Sequence, residues 1–589
     1  MKKIYIIFMG VITGLMLNSC KKNNLLNKVP PTQLTDAAYW HTTADLQNYV
    51  NNMYNFADVF PHYQGYGQSG IYGVDVNSDN MVPTVPDARL TGQATIPGNG
   101  TYANYTEIRD VNYFLANYSR VPAAANLIAP FVGEAYFFRA ALYFNALQAV
   151  GGVPYITKVL NINDPAAIKT PRLARNLLAD SIVSDLDKAI ANLPTKANAQ
   201  TQRVYKEYAE GMKARVCLYE GTWEKYHGSD VFGVSGQSSS TFLQEATDAA
   251  QSVMTSGIFQ LDNVGIPNGY YKLFNQTDYS SSKEVMFWAA FNQSEGIVNY
   301  WQNSFQLGSN GTYSGGLSRA LVDDYLCVDG KPIAASPLYE GDDSLKHQFA
   351  NRDPRLHQTV FSYGDTVISN VPGANPITIY TYPGLIGSPV CTTGFDLKKG
   401  ASTDFFQDSH NSVGSIDGVI YMRYAEILLT FAEAKAELGT LTQADADATI
   451  NLLRDRVQMA HLNISAITFD PNWQYPGLSP LINEVRRERR IELSCEGFRL
   501  NDVLRWAAAP SVIVGKKPLG AMVRQFLTVI PGLVVGTNVF VNAQGYIEPY
   551  QKQPVMANGY QFNLNRDYLL PITQQETVIN PTIKQNPGW

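Results

Sequence analysis

The chain has 589 residues, 45% of them hydrophobic and 12% aromatic, so it is long enough to bury a large core. Its 51 acidic and 45 basic residues give a net charge of −6, and the basic residues are spread along the chain rather than clustered. Nucleic-acid binding depends on concentrated positive charge, and it therefore has no electrostatic support here.

The first twenty residues have the pattern of an export signal that ends in a lipidation site. Two lysines precede an apolar run that is shorter than the roughly 20 residues of a membrane-spanning helix. The run stops at Leu17-Asn18-Ser19-Cys20, which resembles a bacterial lipobox with asparagine where a small residue is usual. We predict a signal peptide at residues 1–19, a lipidated Cys20 and a polar tether at residues 20–31. An ordinary signal with an incidental cysteine is the alternative.

Apolar residues then recur at three- and four-residue spacing, which predicts amphipathic helices along most of the chain. Alanine and glycine recur on the same faces and would let neighbouring helices approach closely, as in tetratricopeptide-type hairpins. We therefore predict a mainly α fold of stacked helical hairpins without a fixed repeat length. The predicted helices are residues 42–57, 106–121, 131–150, 174–193, 208–222, 241–257, 424–439, 443–459 and 479–506.

Residues 258–420 interrupt this helical pattern with Gly, Ser, Asn, Tyr and short β-like runs. Val285, Phe287, Ala289 and Phe291 alternate with other residues, which predicts one half-buried strand. Loops this long in a helical protein usually carry function or pack over the scaffold. We expect this region to form a loop-rich face with minor β structure.

The segment at 483–499, NEVRRERRIELSCEGFR, alternates acidic and basic residues. On a helix, glutamates and arginines at this spacing can pair three or four residues apart. We predict solvated or partly buried ion pairs that hold a helical hairpin together, rather than an anion site. The four cysteines after Cys20 lie in helix-like or isolated contexts, and we predict buried thiols rather than disulfides.

Motifs for catalysis and metal binding lack the context that their chemistry needs. GYGQSG at 65–70 satisfies G-x-G-x-x-G, but no strand precedes it and no helix follows, so a flexible loop is favoured. The seven histidines do not pair at ligand spacing. Asp75, Asn77 and Asp79 alternate oxygen donors that would suit Ca²⁺, but the glycine and distal glutamate of an EF-hand are missing. We predict a hydrogen-bonded turn there, no cofactor and no catalytic residues.

Candidate ligand-binding residues come from polar stretches that also contain aromatics. Trp40, Trp288 and Trp506 fit helix or strand patterns, so we predict that these three are core residues. Trp301 instead lies among Asn, Gln, Ser and Gly. Aromatic faces can stack on sugar rings, while Asn, Gln and Arg can bind hydroxyl groups; inward packing is the alternative for each residue. The predicted ligand-binding residues are Trp301, Tyr300, Tyr313, Tyr66, Tyr72, Arg89 and Tyr102.

Several stretches are similar to segments of one known family. They resemble, in the right order across nearly the whole mature chain, the SusD/RagB family of Bacteroidetes outer-membrane lipoproteins. The chain ends in Trp589, where that family commonly ends in tyrosine. The stretches include YTEIRDVNYFLANY, NRDPRLHQTVF, YMRYAEILLTFAEAKAELG, INEVRRERRIELSCEGFRLNDVLRW and YLLPITQQETVINPTIKQNPGW.

The resemblance implies one SusD-like domain over residues 32–589, with an N-terminal part at 32–225 and a C-terminal part at 280–589. It also implies a lipid-anchored protein on the outer membrane, facing the cell exterior. Such a protein captures a nutrient, usually a glycan or oligosaccharide, for a TonB-dependent, SusC-like β-barrel transporter, without cleaving bonds.

Two other functions stay open from the sequence. Part of the family handles peptides, so a peptide ligand is one alternative. A surface glycoside hydrolase is the other, and it would need two carboxyl groups about 5–10 Å apart, a distance that sequence does not give.

Overall fold

The computed structural model describes residues 39–61, 75–161, 163, 169–262, 268–300, 302, 314–373, 377–410 and 414–589. Five residues of the predicted sites lie outside these ranges: Cys20, Tyr66, Tyr72, Trp301 and Tyr313. The described chain is mainly helical, with short strands and long irregular connections.

Helices of the first half form most of the scaffold. They are α1 (Thr43–Met53), α2 (Tyr105–Asn117), α3 (Ala125–Val150), α4 (Arg175–Asn192), α5 (Lys206–His227) and α6 (Ser239–Thr255).

The second half mixes shorter helices with strands. The helices are α7 (Gly269–Lys272), α8 (Arg319–Asp324), α9 (Leu345–Phe349), α10 (Pro354–Thr359), α11 (Phe405–Ser409), α12 (Tyr424–Leu438), α13 (Gln443–Asp447), α14 (Ile450–Arg456), α15 (Pro480–Glu492), α16 (Arg499–Arg505), α17 (Ala509–Val512) and α18 (Gln574–Ile579). The strands are β1 (Val285–Ala289), β2 (Thr366–Ile368), β3 (Thr378–Ile379) and β4 (Val419–Arg423). Short 3₁₀ turns lie at Tyr118–Arg120, Gln293–Glu295, Val523–Gln525 and Pro554–Met556.

The long helices stack in sequence order, as the spacing of small residues predicts. Helix α3 packs on α4, α4 on α5, α5 on α6, and α6 on α12. Glycines make two of these approaches possible. A Cβ atom on Gly133 would lie 2.8 Å from Leu193 Cγ, and one on Gly221 would lie 2.9 Å from Leu243 Cγ. The prediction of a mainly α fold with stacked, tetratricopeptide-like hairpins is confirmed.

Helix α3 begins earlier than the sequence predicts. The prediction starts after Pro130, whereas the helix starts at Ala125 and contains this proline. Pro130 removes one backbone donor, but the turn before it is largely exposed, so water can bind the freed carbonyl. By length and hydropathy α3 would be long enough to cross a membrane, yet 67% of its most apolar stretch is buried inside the protein. We therefore describe it as a core helix.

Strand β1 pairs with β4 in antiparallel orientation, with Trp288 opposite Ile420. The strand lies where the sequence predicts it, but the prediction that it is half-buried is wrong, because Met286 and Phe287 are both buried. The helical stack covers one face, and a small cluster around Tyr279 covers the other. Trp40 and Trp506 are buried as predicted, and Trp288 is partly buried against Tyr279.

The charged segment forms the buried helix α15, whose residues from Ile482 to Glu492 are all removed from solvent. One ion pair runs along the helix, between Glu484 and Arg487. Most of the others reach distant elements, so the predicted solvated or partly buried pairs at three- and four-residue spacing are instead mainly buried pairs between elements. Both sides of α15 are covered, so its charges find partners instead of water. Examples are Arg486–Glu437 at 3.1 Å, Arg489–Asp502 at 2.8 Å, Arg490–Asp79 at 2.9 Å and Arg423–Glu492 at 2.7 Å.

All four cysteines after Cys20 are buried and free, as predicted: Cys217, Cys327, Cys391 and Cys495.

Candidate functional site

Residues 63–73 are the polar stretch that contains the predicted ligand-binding residues Tyr66 and Tyr72. A residue on each side of this stretch is hydrogen-bonded to the C-terminal half of the chain. On one side, Tyr421 Oη donates a hydrogen bond to the Pro61 carbonyl at 3.1 Å. On the other side, the Cys495 amide donates to Asp75 Oδ2 at 2.9 Å. Tyr421 belongs to β4, and Cys495 follows α15 directly. The described residues next to the two ends of the stretch, Pro61 and Asp75, are therefore both bonded to the C-terminal half.

A second predicted stretch, around Trp301, is anchored at Asp417. Asn299 Nδ2 donates to the Asp417 carbonyl at 2.7 Å, and Gln302 Nε2 donates to Asp417 Oδ2 at 2.7 Å. Tyr300 lies between these two buried anchors and is itself half-buried. Burial raises the pKa of Asp417 to about 7, although the bond from Gln302 opposes the shift.

Both anchoring regions border one cavity of about 280 Å³, which we call the central cavity. Pro61, Tyr421 and Cys495 line it, and so does Gly418, the neighbour of Asp417. Aromatic walls and side-chain amides make up much of the remaining lining. These residues are Phe137, Phe144, Tyr208, Tyr219, Phe274, Tyr279, Asn145, Gln148 and Asn501.

Most charged residues of the central cavity are paired, and Asp58 is the lining carboxylate that pairs with no arginine among the described residues. Arg215 bonds Glu426 at 2.6 Å, and Arg489 bonds Asp502 at 2.8 Å. Burial by itself would raise the pKa of Asp502, but Arg489 and Arg505 outweigh it and hold that pKa below its ordinary value. A fourth arginine, Arg423, bonds Glu496 at 2.7 Å. Four arginines and four carboxylates thus line the cavity, which keeps its wall close to neutral, and eight of the lining residues are aromatic.

The structure does not bring Arg89 and Tyr102 to this cavity. The Arg89 guanidinium donates to the carbonyls of Asp567 at 2.6 Å and Tyr568 at 2.9 Å, which fastens the C-terminal segment. Tyr102 is half-buried and packs edge-on against Tyr105, with ring centroids 5.8 Å apart. Burial raises the pKa of the Tyr102 hydroxyl. These contacts give both residues structural roles, and ligand contact by either one stays a prediction.

The acidic turn considered for Ca²⁺ is mostly committed to other partners, although Asp75 Oδ1 and Asn77 Oδ1 are buried with no partner among the described residues. Asp75 Oδ2 accepts from Asn80 Nδ2 at 2.9 Å, in addition to the Cys495 amide. Asp79 pairs with Arg499 at 2.6 Å and with Arg490 at 2.9 Å. Although burial opposes it, these two arginines lower the pKa of Asp79 to about 2. Calcium would have to break both ion pairs, so the geometry favours the hydrogen-bonded turn. Within the described ranges, no three potential ligand side chains cluster to hold a metal.

Sequence reasoning missed the central cavity because its residues lie in helices that pattern as core. One signal was available: Asn145 and Gln148 are amides three residues apart in an apolar stretch of α3, and thus on one helix face. The partners across the cavity are far away in the chain: Asn501 on α16, for example, is more than 350 residues from both amides. No local pattern predicts such a juxtaposition.

Comparison with known proteins agrees with the fold. The SusD family matches residues 273–589, which is more than half of the chain. A family described as starch-binding and associating with the outer membrane matches residues 26–218. SusD-like protein P38 of Formosa agariphila is 25% identical over 553 residues, which cover 87% of this chain and 93% of that protein.

Solved structures show the same architecture. A SusD-like carbohydrate binding protein from Bacteroides fragilis has a TM-score of 0.68 at 21% identity, covering 93% of this chain and 100% of its own. A laminarin binding SusD-like protein has a TM-score of 0.57 at 20% identity, with the same coverage of both chains. Stacked hairpins with a loop-rich C-terminal half thus define a SusD-like scaffold. The chain belongs to the SusD family.

Proposed function

We propose that the protein is a lipoprotein of the outer membrane that binds a nutrient glycan or oligosaccharide at the cell surface. It then passes this ligand to a TonB-dependent, SusC-like β-barrel transporter. Family membership supports this function, and similar proteins are named for carbohydrate and laminarin binding.

One observation carries the proposal: two polar stretches that contain aromatics are anchored beside one neutral, aromatic-lined cavity. Aromatic rings pack against the C–H faces of sugars, and side-chain amides bind hydroxyl groups. Hydrogen-bonded residues at the ends of a stretch reduce the entropy that the stretch loses on binding a ligand. Trp301, Tyr300, Tyr313, Tyr66 and Tyr72 are the proposed contact residues on these stretches.

We propose binding without catalysis. A glycosidase needs one carboxyl group that can donate a proton and a second that acts as base or nucleophile. In the central cavity Glu426, Glu496 and Asp502 are each bonded to an arginine. Among the described residues this leaves one lining carboxylate without an arginine, Asp58, where a glycosidase needs two working carboxyl groups. These contacts suit a structural role better than proton transfer.

Lipidation of Cys20 would fix the protein to the membrane. Each buried CH₂ group of an acyl chain contributes about 0.8 kcal/mol, so two or three chains hold a protein firmly. The polar tether at residues 20–31 would then let the domain stand clear of the lipid surface.

A direct test is to present purified protein, without its signal peptide, to a glycan array and to a peptide library side by side. We expect saturable binding to a defined set of glycans and none to peptides. Binding to peptides alone would contradict the proposed ligand class. Release of reducing sugar from a bound glycan by the purified protein would contradict the proposal of binding without catalysis.

A further inference from the structure

Two polar atoms at the central cavity have no hydrogen-bond partner in the part of the chain that the structure describes. They are Tyr219 Oη and Arg489 Nη1. Both residues line the cavity, and they are only 3% and 4% exposed. Buried polar groups in proteins are almost always hydrogen-bonded, so a polar molecule in the cavity would offer these two side chains a partner, after a rotation that brings each atom to the cavity surface.

The walls of the cavity suit a ring that is apolar on its faces and polar on its edge. Phe137 and Tyr208 pack against each other with centroids 5.2 Å apart, and Phe144 packs edge-on against Tyr219 at 5.6 Å. Asn145, Gln148 and Asn501 add amide donors and acceptors. Ligand sites generally combine a mostly apolar lining with a few polar groups that fix orientation.

The charge and the size of the central cavity limit the class of molecule that it can bind. The arginines of the lining are paired with carboxylates, so an anionic ligand would bring a charge that has no compensation. The volume of about 280 Å³ is near the lower end of small-molecule sites, which span about 300–1,000 Å³. Such a cavity has room for one small ring and not for an extended chain.

We propose that the central cavity binds one neutral sugar ring, either a free monosaccharide or the terminal unit of a longer glycan. The ring would lie between α3 and α5 on one side and β4 and α16 on the other. The choice of a sugar rests on the proposed function, but the site is built from described residues and includes neither Trp301 nor Tyr66.

The test uses ligand-observed saturation-transfer NMR with glucose, galactose, mannose and xylose, and with glucuronate as the charged comparison. Ala141 lines the cavity and is 3% exposed, so Ala141→Leu reduces its volume. Tyr219→Phe removes one hydroxyl and keeps the ring. Ala191→Leu makes the same substitution on the exposed side of α4 and is the matched control.

We expect a signal from at least one neutral sugar and a much weaker one from glucuronate. Affinity should fall about fivefold in Tyr219→Phe, the size of one neutral hydrogen bond. It should fall by more than about tenfold in Ala141→Leu, because the ring no longer fits. Ala191→Leu should bind like the unaltered protein.

Absence of binding by all four neutral sugars would overturn the inference, as would binding that survives both cavity variants. If Ala141→Leu does not fold, Tyr219→Phe alone decides whether the inference holds, since it adds no bulk to the core. Glycan-array binding by Ala141→Leu separates the two proposals. If Ala141→Leu still binds glycans on the array but no longer binds monosaccharides, both sites are supported. If the unaltered protein binds nothing on the array, that result counts against the proposed function alone.

Discussion

At the scale of single residues, Glu492 lies at the centre of the buried charge network. Its carboxylate contacts Arg456 at 2.5 Å, Arg423 at 2.7 Å and Arg355 at 2.9 Å. Burial by itself would raise the pKa of Glu492, but these arginines outweigh it and hold the pKa well below its ordinary value. The carboxylate is therefore ionised throughout the physiological range.

Glu492→Gln should destabilise the protein by about 3–5 kcal/mol, because it leaves buried arginines without compensation. The measurement is the free energy of unfolding from urea titration. Glu295→Gln, on an exposed turn, is the matched control and should change stability by less than about 0.5 kcal/mol. Equal stability of the two variants would show that the network does not hold the fold.

Asp417 has the opposite behaviour, since its folded pKa of about 7 lies above the ordinary value of 3.8. The folded state therefore binds this proton more tightly than the unfolded state does. Its stabilising contribution is complete below about pH 4 and is lost as the pH rises through about 7.

Asp417→Asn should remove this pH dependence, because the amide oxygen still accepts from Gln302 and carries no charge. We expect the variant to be more stable than the unaltered protein at pH 8, by on the order of 1–3 kcal/mol, with no gain at pH 4. Thermal midpoints across this range provide the check, with Asp248→Asn on the exposed face of α6 as control. A gain of the same size at both pH values would rule out titration as its cause.

Trp301 is the proposed residue whose role can be separated most clearly from folding. Trp301→Ala should weaken glycan binding by about 1–2 kcal/mol, roughly tenfold in Kd, and leave the thermal midpoint nearly unchanged. Trp506→Ala is the contrasting variant, because Trp506 is 3% exposed and donates to Glu433 at 2.7 Å. The Trp506→Ala variant should lose about 3–5 kcal/mol of stability. Unchanged calorimetric affinity with a large fall in midpoint for Trp301→Ala would identify a core residue.

At the scale of elements, the close contact of α3 with the end of α4 depends on Gly133. Replacing a helical glycine by alanine ordinarily stabilises a helix by up to about 1 kcal/mol. Here the added Cβ would meet Leu193 Cγ at 2.8 Å and the Leu193 amide nitrogen at 3.0 Å.

Gly133→Ala should therefore destabilise the protein, by about 1–3 kcal/mol, as α3 and α4 are pushed apart. Chemical denaturation measures the change. Asn48→Ala on the exposed side of α1 tests propensity without a clash and should not destabilise. A more stable Gly133→Ala variant would mean that the helices can separate at no cost.

Periodicity predicts elements such as α4, α6 and α12 because each repeats apolar residues on one face, and that information is local. Helix α15 shows where such reasoning stops. Its charges predict an exposed surface, but its partners come from β4, α12, α14 and α16, and from Asp79 about 400 residues earlier. The central cavity was missed for the same reason. By contrast, the polar stretch around Trp301 can be recognised from composition alone.

At the scale of the whole molecule, buried charge and close-packed helices join the two halves of the chain. A binding protein gains from such packing, because a preorganised scaffold lowers the entropy cost of binding a ligand. The network also fixes how the two halves of the chain meet, since Asp79 from the first half pairs with Arg490 and Arg499 from the second.

Under the proposed function, this protein captures a glycan at the outer membrane for a β-barrel transporter. The most direct measurement is its purification from membranes in mild detergent, with the lipidated chain and with Cys20→Ala. We predict that the lipidated chain stays in the membrane fraction and brings down a β-barrel of larger mass, while Cys20→Ala incorporates no labelled fatty acid and is released. Recovery of the lipidated chain only as a free monomer, in several detergents and with the barrel expressed, would contradict the account.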